Sequence, residues 1–403
     1  MFEYQQSGRY FAQVAEGFEE IAGTELTQLG ASDVAPAVRG FHFSADPSVL
    51  YAITYQARLV MRVLAPLVSF YCRDREELYK EGRAVDWAAL FSVDQTFGIV
   101  SNVSGNDRLR HSQFAAMCLK DAIADAFRER CGARPSVDRS APDVWLNLHI
   151  QGNHATVSLD ASGGALHRRG YRQQTVTAPM QETLAAAMVV LSEWQGERPL
   201  YDPMCGSGTL LCEALMAYCR IPAGYLRSQS GCRRLPDFDE GLWRQMTSAA
   251  DAAIRPLPEG LIAGSDSDPA AVSAAAANCR MLPGGENIRL DRRDCLSLEG
   301  LADRVILSNP PYGVRLGKGD DLGLLYGRLG DFLKQRCAGS SAVLFFGDRG
   351  MIKRIGLKPS WKKSLKNAAL DGRVVRFDMF KGFYNSQKAS TAGARNEQGS
   401  PRG

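Results

Sequence analysis

Short apolar runs recur through the second half of the chain, and each is followed by an acid or an amide. The first ends at Asp202 and the second at Asp266, the third precedes Asp294, and the fourth precedes Asn309. Segments with helical character separate these runs. Strands that alternate with helices form a parallel, doubly wound sheet, whose ligands bind at the carboxyl ends of the strands. We therefore expect these four side chains to surround one crevice.

The fourth run, Val305–Leu307, leads into Asn309, Pro310, Pro311 and Tyr312. Prolines supply no ladder N–H groups, so the strand must end there in a stiff loop. The Asn309 side chain and the Pro310 main chain offer carbonyl acceptors, and Tyr312 offers a flat face. This combination fits the exocyclic amine of a nucleobase or an amide. An ordinary turn is the alternative, because Pro and Asn are common in turns.

The first run leads through a glycine-rich turn into a helix. A phosphate-binding loop of the P-loop type requires Gly-Lys-Ser/Thr, and this turn contains no Lys. The dinucleotide fingerprint requires a third small residue, and Leu211 stands in that place. A helix N-terminus favours an anionic group, and Asp202 can accept from an ammonium. The turn therefore fits an amino-acid head group that carries both charges.

Asp202–Thr209 resembles the first motif of RNA guanine-N2 methyltransferases, and Asn309–Tyr312 resembles the catalytic loop of amino-group methyltransferases that use S-adenosylmethionine. The resemblance implies that cofactor, with Asn309, Pro310 and Tyr312 as catalytic residues. Asp266 is expected to bind the ribose, with Asp268 as a rival, although either acid can instead cap its helix. The complete set of expected cofactor-binding residues is Asp202, Pro203, Cys205, Gly206, Gly208, Thr209, Asp266, Asp268, Asp294, Cys295 and Asn309.

The first 160 residues show mixed α/β patterning, with a two-residue hairpin signal at Gly152-Asn153. Their order of elements resembles a THUMP domain, an RNA-binding module. Arginines here and in the acid-free segment 161–181 suit phosphate contacts, and a tyrosine among them suits base stacking. The alternatives are a solvated surface, because acids are interleaved, and a plain interdomain linker. The expected RNA-binding residues are Arg108, Arg110, Arg134, Arg139, Arg168, Arg169, Tyr171 and Arg172.

A basic run without acids extends from Arg349 to Lys366. It is either a solvated sheet edge, which Lys protects from aggregation, or a phosphate-contacting surface. Asp371-Gly372 follows it and predicts a hairpin turn between the last two strands.

Composition limits the cellular setting. The chain is 403 residues long, with 45% hydrophobic and 23% charged residues and a net charge of +4, so nucleic-acid affinity must come from local patches. Its ten cysteines form no C-x-x-C pair, which predicts no metal site and a reduced, cytoplasmic protein. No apolar run is long enough to cross a membrane.

The fold expected is α/β, with a Rossmann-like class I methyltransferase domain that ends in an antiparallel hairpin, preceded by an α+β THUMP-containing region. The resemblance implies methylation of N2 of a guanosine in 23S ribosomal RNA, or in a precursor particle. Some relatives carry a second methyltransferase domain, which we expect this chain to lack. Alternatives are a tRNA guanine-N2 methyltransferase, a protein-glutamine methyltransferase and a non-catalytic ribosomal RNA assembly factor. The expected divisions are a ferredoxin-like segment at 1–48, a THUMP-type domain at 49–160, a basic linker at 161–181, the methyltransferase domain at 182–385 and a disordered tail at 386–403.

Overall fold

The computed structural model describes residues 1–175, 179–312, 322–367 and 370–381. In these ranges the chain forms two seven-stranded sheets, one in each half. The predicted α/β class is confirmed, and so is the order of an α+β region followed by a doubly wound domain. The predicted tail at 386–403 lies outside the described residues.

The N-terminal sheet has the strand order β2-β3-β1-β4-β7-β6-β5. Its strands and the helices between them are α1 (Glu3–Ser7), β1 (Arg9–Val14), α2 (Glu19–Gln28), β2 (Ser32–Ala37), β3 (Gly40–Ser44), α3 (Pro47–Gln56), β4 (Val60–Tyr71), α4 (Arg75–Ala84), β5 (Phe97–Ser104), α5 (Ser112–Cys131), β6 (Val144–Gln151) and β7 (His154–Asp160).

The long strand β4 joins the two N-terminal modules. Its first part pairs with β1, and most of its length pairs with β7. The sheet therefore continues without a break across the expected division at residue 48, and α3 packs with the first module. The hairpin predicted at Gly152-Asn153 is confirmed, because Gln151 and His154 pair directly and Gly152 has a φ of 57°.

The second sheet has the order β10-β9-β8-β11-β12-β14-β13. β8 to β12 are parallel, and β14 runs antiparallel to both its neighbours. The elements are α6 (Glu182–Leu191), β8 (Leu200–Asp202), α7 (Thr209–Cys219), α8 (Glu240–Ala252), β9 (Ile262–Asp266), α9 (Pro269–Cys279), β10 (Arg289–Arg292), β11 (Val305–Ser308), α10 (Leu322–Arg336), β12 (Ser341–Phe346), β13 (Trp361–Asn367) and β14 (Leu370–Asp378).

The turn predicted at Asp371-Gly372 was wrong. Both residues lie inside β14, opposite Lys366 and Leu365, and the connection falls at residues 368–369, outside the described part. Gly372 is required by packing instead, since a Cβ there would overlap the ring of Phe345. From the sequence alone, a glycine that makes room for an aromatic ring cannot be told apart from a glycine in a turn.

The segment between α7 and α8, together with α8 itself, fixes the N-terminal region onto the second domain. Tyr51 of α3 packs against Phe238 and Trp243, with ring centroids 5.3 Å and 5.6 Å apart. The Tyr55 hydroxyl donates to Asp251 of α8 at 2.8 Å. This segment, unassigned by sequence, is therefore an internal interface.

Candidate active site

The carboxyl ends of β8, β9 and β11 enclose a cavity of about 350 Å³. Since β8 lies between β9 and β11, the loops that follow these strands must meet at one edge of the sheet. The predicted meeting of the glycine turn and the Asn309 loop is found, because Gly206 and Asn309 line the same cavity.

Asp202 forms the buried floor of this cavity, with only 1% of its surface exposed. Its Oδ1 accepts from the Ser308 hydroxyl at 2.8 Å and from the Met204 N–H at 3.1 Å. Burial raises the pKa of Asp202 to about 7, although these two hydrogen bonds oppose the rise. The carboxyl therefore changes charge near neutral pH, where a cationic ligand group would favour its ionised form.

The glycine turn brings the backbone to the edge of the cavity. Gly206 and Gly208 have φ values of 53° and 80°, in the left-handed region that glycine adopts without strain. Gly208 immediately precedes α7, and a Cβ at that position would lie 3.1 Å from Ala275. The turn therefore requires glycine at position 208 both for its backbone angle and for its packing.

The two acids at the end of β9, Asp266 and Asp268, differ in their position relative to the cavity. Asp266 lines the cavity, accepting from the Gly206 N–H at 2.9 Å and from the Asp268 N–H at 3.0 Å. Asp268 caps α9 by accepting from Ala270 N–H, and it is not among the lining residues. Asp294 has both roles: it caps the 3₁₀ turn that follows by accepting from Leu296 N–H at 3.0 Å, and it lines the cavity.

The Asn309 loop contributes an acceptor without a donor. Asn309 Oδ1 is buried and has no hydrogen-bond partner in the described part of the chain. Pro311 also lines the cavity, whereas its carbonyl accepts from Tyr326 at 3.2 Å. Tyr312 packs edge-on against Phe345, with centroids 5.9 Å apart. The Tyr312 ring is therefore held beside the sheet rather than on the cavity wall.

Most of the predicted cofactor residues line this cavity, and only Gly208 and Asp268 of that set do not. Of the predicted catalytic residues, Asn309 lines the cavity, and Pro310 and Tyr312 do not. Sequence reasoning missed Ser308, whose hydroxyl holds Asp202, and several wall residues that carry no chemical signal. A serine that ends an otherwise apolar buried strand beside a buried acid was the available clue. The missed wall residues are Pro179, Met180, Met204, Ser207, Leu210, Ser267, Pro311 and Leu325.

The expected RNA contacts of Arg169 and Tyr171 are contradicted, because each is only 1% exposed. Arg169 donates to the carbonyls of Leu166 and Arg58 and pairs with Glu213 of α7 at 3.3 Å. The Tyr171 hydroxyl donates to the same carboxylate at 3.0 Å. An acid inside the otherwise apolar helix α7 requires buried partners, and these two residues provide them.

Arg172 belongs to the surroundings of the cavity. It pairs with Glu182 at 3.0 Å and donates to the Met180 carbonyl and the Thr209 hydroxyl, at 2.9 Å and 3.3 Å. Both acceptor residues line the cavity. Its position therefore does not support the expected contact with RNA.

The other expected RNA-binding arginines are exposed. Arg108 pairs with Asp74 at 3.0 Å, and Arg110 donates to a carbonyl at 2.8 Å. Arg134, Arg139 and Arg168 form no ion pair with any described residue. These five remain predicted contacts.

The described residues contain no disulfide bond and no metal-binding cluster. All ten cysteines are unpaired, and Cys131 alone is exposed. Within the described ranges, no cluster of metal-binding side chains occurs. No helix in the same ranges has the length and apolarity needed to cross a bilayer.

Comparison with known proteins supports the same class of site. The structure resembles the methyltransferase SMU.472 in its complex with S-adenosylhomocysteine, with a TM-score of 0.79, 26% identity, and coverage of 93% of this chain and 98% of that one. The fold and its cavity thus define an S-adenosylmethionine-dependent methyltransferase.

Residues 169–376 match the RMKL-like methyltransferase domain, residues 72–160 match the THUMP domain, and residues 9–64 match the RlmL ferredoxin-like domain. This chain belongs to the family of RMKL-like methyltransferases that carry these two N-terminal modules.

Two curated relatives agree with the assignment. The Synechocystis protein slr0064, named as an RNA methyltransferase, is 39% identical over 92% of this chain and 97% of its own length. The ribosomal RNA large subunit methyltransferase K/L of Syntrophotalea carbinolica is 36% identical over 92% of this chain. The matched region spans 53% of that relative's length.

Proposed function

We propose that this protein transfers a methyl group from S-adenosylmethionine to the exocyclic N2 of a guanosine in 23S ribosomal RNA. The observation that carries the proposal is the buried Oδ1 of Asn309, a residue of the cavity wall, which has no donor in the described part of the chain. A buried acceptor left unpaired costs about 1–3 kcal/mol. The guanine amino group supplies the missing N–H donor.

The residues around the cavity fit the cofactor. Asp202 can accept from the ammonium of its methionine part, and the turn before α7 can receive the carboxylate. In this proposal Asp266 binds the ribose hydroxyls, and Asp294 with Cys295 binds the adenine amine; all three line the cavity. When bound, the cofactor supplies an electrophilic methyl group on a sulfonium leaving group.

The chain's own contribution to the reaction is orientation. Asn309 Oδ1 and the Pro310 carbonyl accept the amine protons, which directs the nitrogen lone pair out of the base plane toward the cavity. Such positioning can supply a large part of a rate enhancement. Tyr312, held by Phe345 and by the Asn367 amide at 3.3 Å, offers its remaining surface to the base. Stacking on such a ring contributes ~1–3 kcal/mol.

An RNA substrate is supported by the modules and by the relatives. A THUMP domain precedes the catalytic domain, and both curated relatives are named for RNA or ribosomal RNA methylation. A paired guanosine would first have to be extruded, at a cost of roughly a few kcal/mol. A tRNA guanosine would satisfy the same acceptor, so the choice of ribosomal RNA depends on the names of the relatives.

Two other functions use fewer of these features. A protein-glutamine methyltransferase would place a carboxamide at Asn309 but has no need of a THUMP domain. A non-catalytic ribosomal RNA assembly factor has no need of a buried acceptor beside a cofactor cavity.

The test measures transfer of labelled methyl groups to ribosomal RNA, tRNA and ribosomal proteins, followed by nucleoside analysis. We expect label in N2-methylguanosine of 23S ribosomal RNA. Asn309→Ala should lower turnover by a factor on the order of 10²–10³, as removal of a transition-state contact does elsewhere, and should leave cofactor binding nearly intact. Asn287→Ala, which changes an exposed asparagine of the same domain, is the matched control.

Wild-type turnover by the Asn309 variant would overturn the role of that residue. Label found only in protein would instead favour the glutamine methyltransferase. An inactive wild-type protein that still binds RNA would favour the assembly factor.

A further inference from the structure

The basic run from Arg349 to Lys366 separates into two groups in the structure. Arg349 pairs with Asp371, Lys363 with Glu20 and Lys366 with Glu16, so these three cations are neutralised. The pairs with Glu20 and Glu16 join β13 to the N-terminal module. The other four cations are exposed and form no ion pair with any described residue; they are Lys353, Arg354, Lys358 and Lys362, which we call the cationic strip.

The cationic strip begins near the active site. β12 runs parallel to β11, so the 3₁₀ helix Arg349–Ile355 that follows β12 starts at the same edge as the Asn309 loop. Contact confirms this, because a Cβ at Gly347 would lie 2.6 Å from the Tyr312 ring. The strip therefore leads away from the loop that is proposed to bind the target base.

The 3₁₀ helix that carries Lys353 and Arg354 lies on the same face of the second sheet as the Lys362 side chain. The 3₁₀ helix packs against α10 through Ile352 and Ile355, which lie in the same cluster as Val375. Lys362 is the direct cross-strand partner of Val375, so its side chain points toward that same face. The paired Lys363 points to the opposite face, toward the N-terminal module.

The acids near the strip are already matched by other cations or serve as caps. Asp371 pairs with Arg349 and Arg373, Asp378 pairs with Arg376, and Asp331 pairs with Lys334. Asp348 caps the 3₁₀ helix. Four like charges within ten residues therefore remain uncompensated on a chain whose net charge is only +4.

We propose that the cationic strip binds the phosphate backbone of a double-stranded RNA stem beside the target nucleotide. This inference rests on the proposed function, because it takes RNA as the substrate. Uncompensated Lys and Arg side chains are the usual partners of nucleic-acid phosphates.

A duplex fits better than a single strand. Single strands are bound on stacking platforms of exposed aromatic rings. Trp361, next to Lys362, is partly buried against the core, and Tyr326 and Phe332 of the neighbouring α10 are buried. The strip offers charge without stacking, which suits the backbone of a helical stem.

The test compares three full-length proteins for binding to a labelled RNA hairpin that contains no target guanosine, at several salt concentrations. One is wild type, and one is the strip variant K353Q/R354Q/K358Q/K362Q. The matched control replaces four exposed arginines from other surfaces that form no ion pair with described residues: R9Q/R39Q/R220Q/R280Q.

The strip variant should bind the hairpin about tenfold or more weakly at low salt. Its slope of log affinity against log salt should fall by about 3.6, since four contacts with duplex phosphates are removed. With ribosomal RNA its KM should rise while kcat and cofactor affinity stay unchanged. The control variant should resemble wild type in each measurement.

Equal losses in the strip and control variants would overturn the inference while leaving the proposed function standing if wild type methylates RNA. A selective loss of hairpin binding by the strip variant, in a protein that methylates only protein, would support the strip and refute the proposed function. An unchanged salt slope in the strip variant would also refute the strip as a phosphate site.

Discussion

The pKa of Asp202 leads to a prediction about cofactor affinity. Burial raises this pKa from 3.8 to about 7. A tenfold change in acidity is worth about 1.4 kcal/mol, so the ionised carboxylate costs about 4 kcal/mol more in this site than in water. If Asp202 accepts from the cofactor's ammonium, binding requires the ionised form. At pH 6 only about one molecule in ten has that form before the cofactor binds.

Affinity for S-adenosylmethionine should therefore rise about fivefold between pH 6 and about pH 7.5. It should fall above about pH 8, because an α-amino group has a pKa of about 7.7–8.0 and is by then largely deprotonated. Isothermal titration calorimetry in buffers of different ionisation heat measures both quantities needed. At pH 6 binding should release nearly one proton, and near pH 8 the release from Asp202 should vanish.

Two variants separate Asp202 from other titrating groups. Asp202→Asn should abolish the acidic limb of the profile. Ser308→Ala removes a hydrogen bond that lowers the pKa, so its acidic limb should move to higher pH. A wild-type affinity that is constant from pH 5.5 to pH 7.5 would refute the reasoning.

The same pKa has the opposite consequence for stability without cofactor. Because the folded pKa is raised, protonated Asp202 adds stability that is complete below pH 3.8 and is lost as pH rises through about 7. Denaturant unfolding at pH 8 should then show Asp202→Asn to be more stable than wild type, by up to about 4 kcal/mol.

Three further predictions concern the framework of the site. Arg169→Met should lower the free energy of unfolding by about 3–5 kcal/mol, because it removes the ion-pair partner of the buried Glu213 carboxylate. RNA affinity should stay unchanged, and a variant that lost only RNA binding would restore the expected RNA contact of Arg169. Gly208→Ala should cost about 1–2 kcal/mol from its left-handed backbone and weaken cofactor binding in the same calorimetric assay. Gly372→Ala should lower the free energy of unfolding in urea by about 1–3 kcal/mol, because the new methyl group overlaps the Phe345 ring. Gly300→Ala, where a methyl group has room, should change that free energy little. Equal effects of the two substitutions would contradict the packing argument.

The architecture of the second half could be predicted because the end of each strand is marked in the sequence by a polar residue. The apolar runs before Asp202, Asp266 and Asn309 are short and buried, and two of the three strands are followed by prolines, Pro203 and Pro310, which cannot donate to a ladder. Parallel pairing then forces their loops to one edge. The positions of the cavity's polar groups follow from chain order alone, which explains why most expected cofactor residues surround it.

The contacts of the linker and the position of the last turn could not be predicted in this way. Arg169 and Tyr171 look like surface residues in a basic segment, and only the three-dimensional position of Glu213 shows that they are internal. Gly372 follows an Asp, as a turn glycine does, yet it is required by the ring of Phe345. Both errors arise from contacts between residues far apart in the chain, which local patterns do not contain.

Helix α7 has an additional consequence for how the molecule can be divided. It begins at the cofactor glycines, and one turn later Glu213 is tied through Arg169 to the main chain of Arg58 in the N-terminal module. Cutting the chain at residues 161–181 would leave each fragment either with a buried charge that has lost its partner or with an exposed interface. The catalytic half should therefore not fold stably when it is expressed alone. Exchange of the N-terminal region during evolution requires matching changes in the residues that contact it.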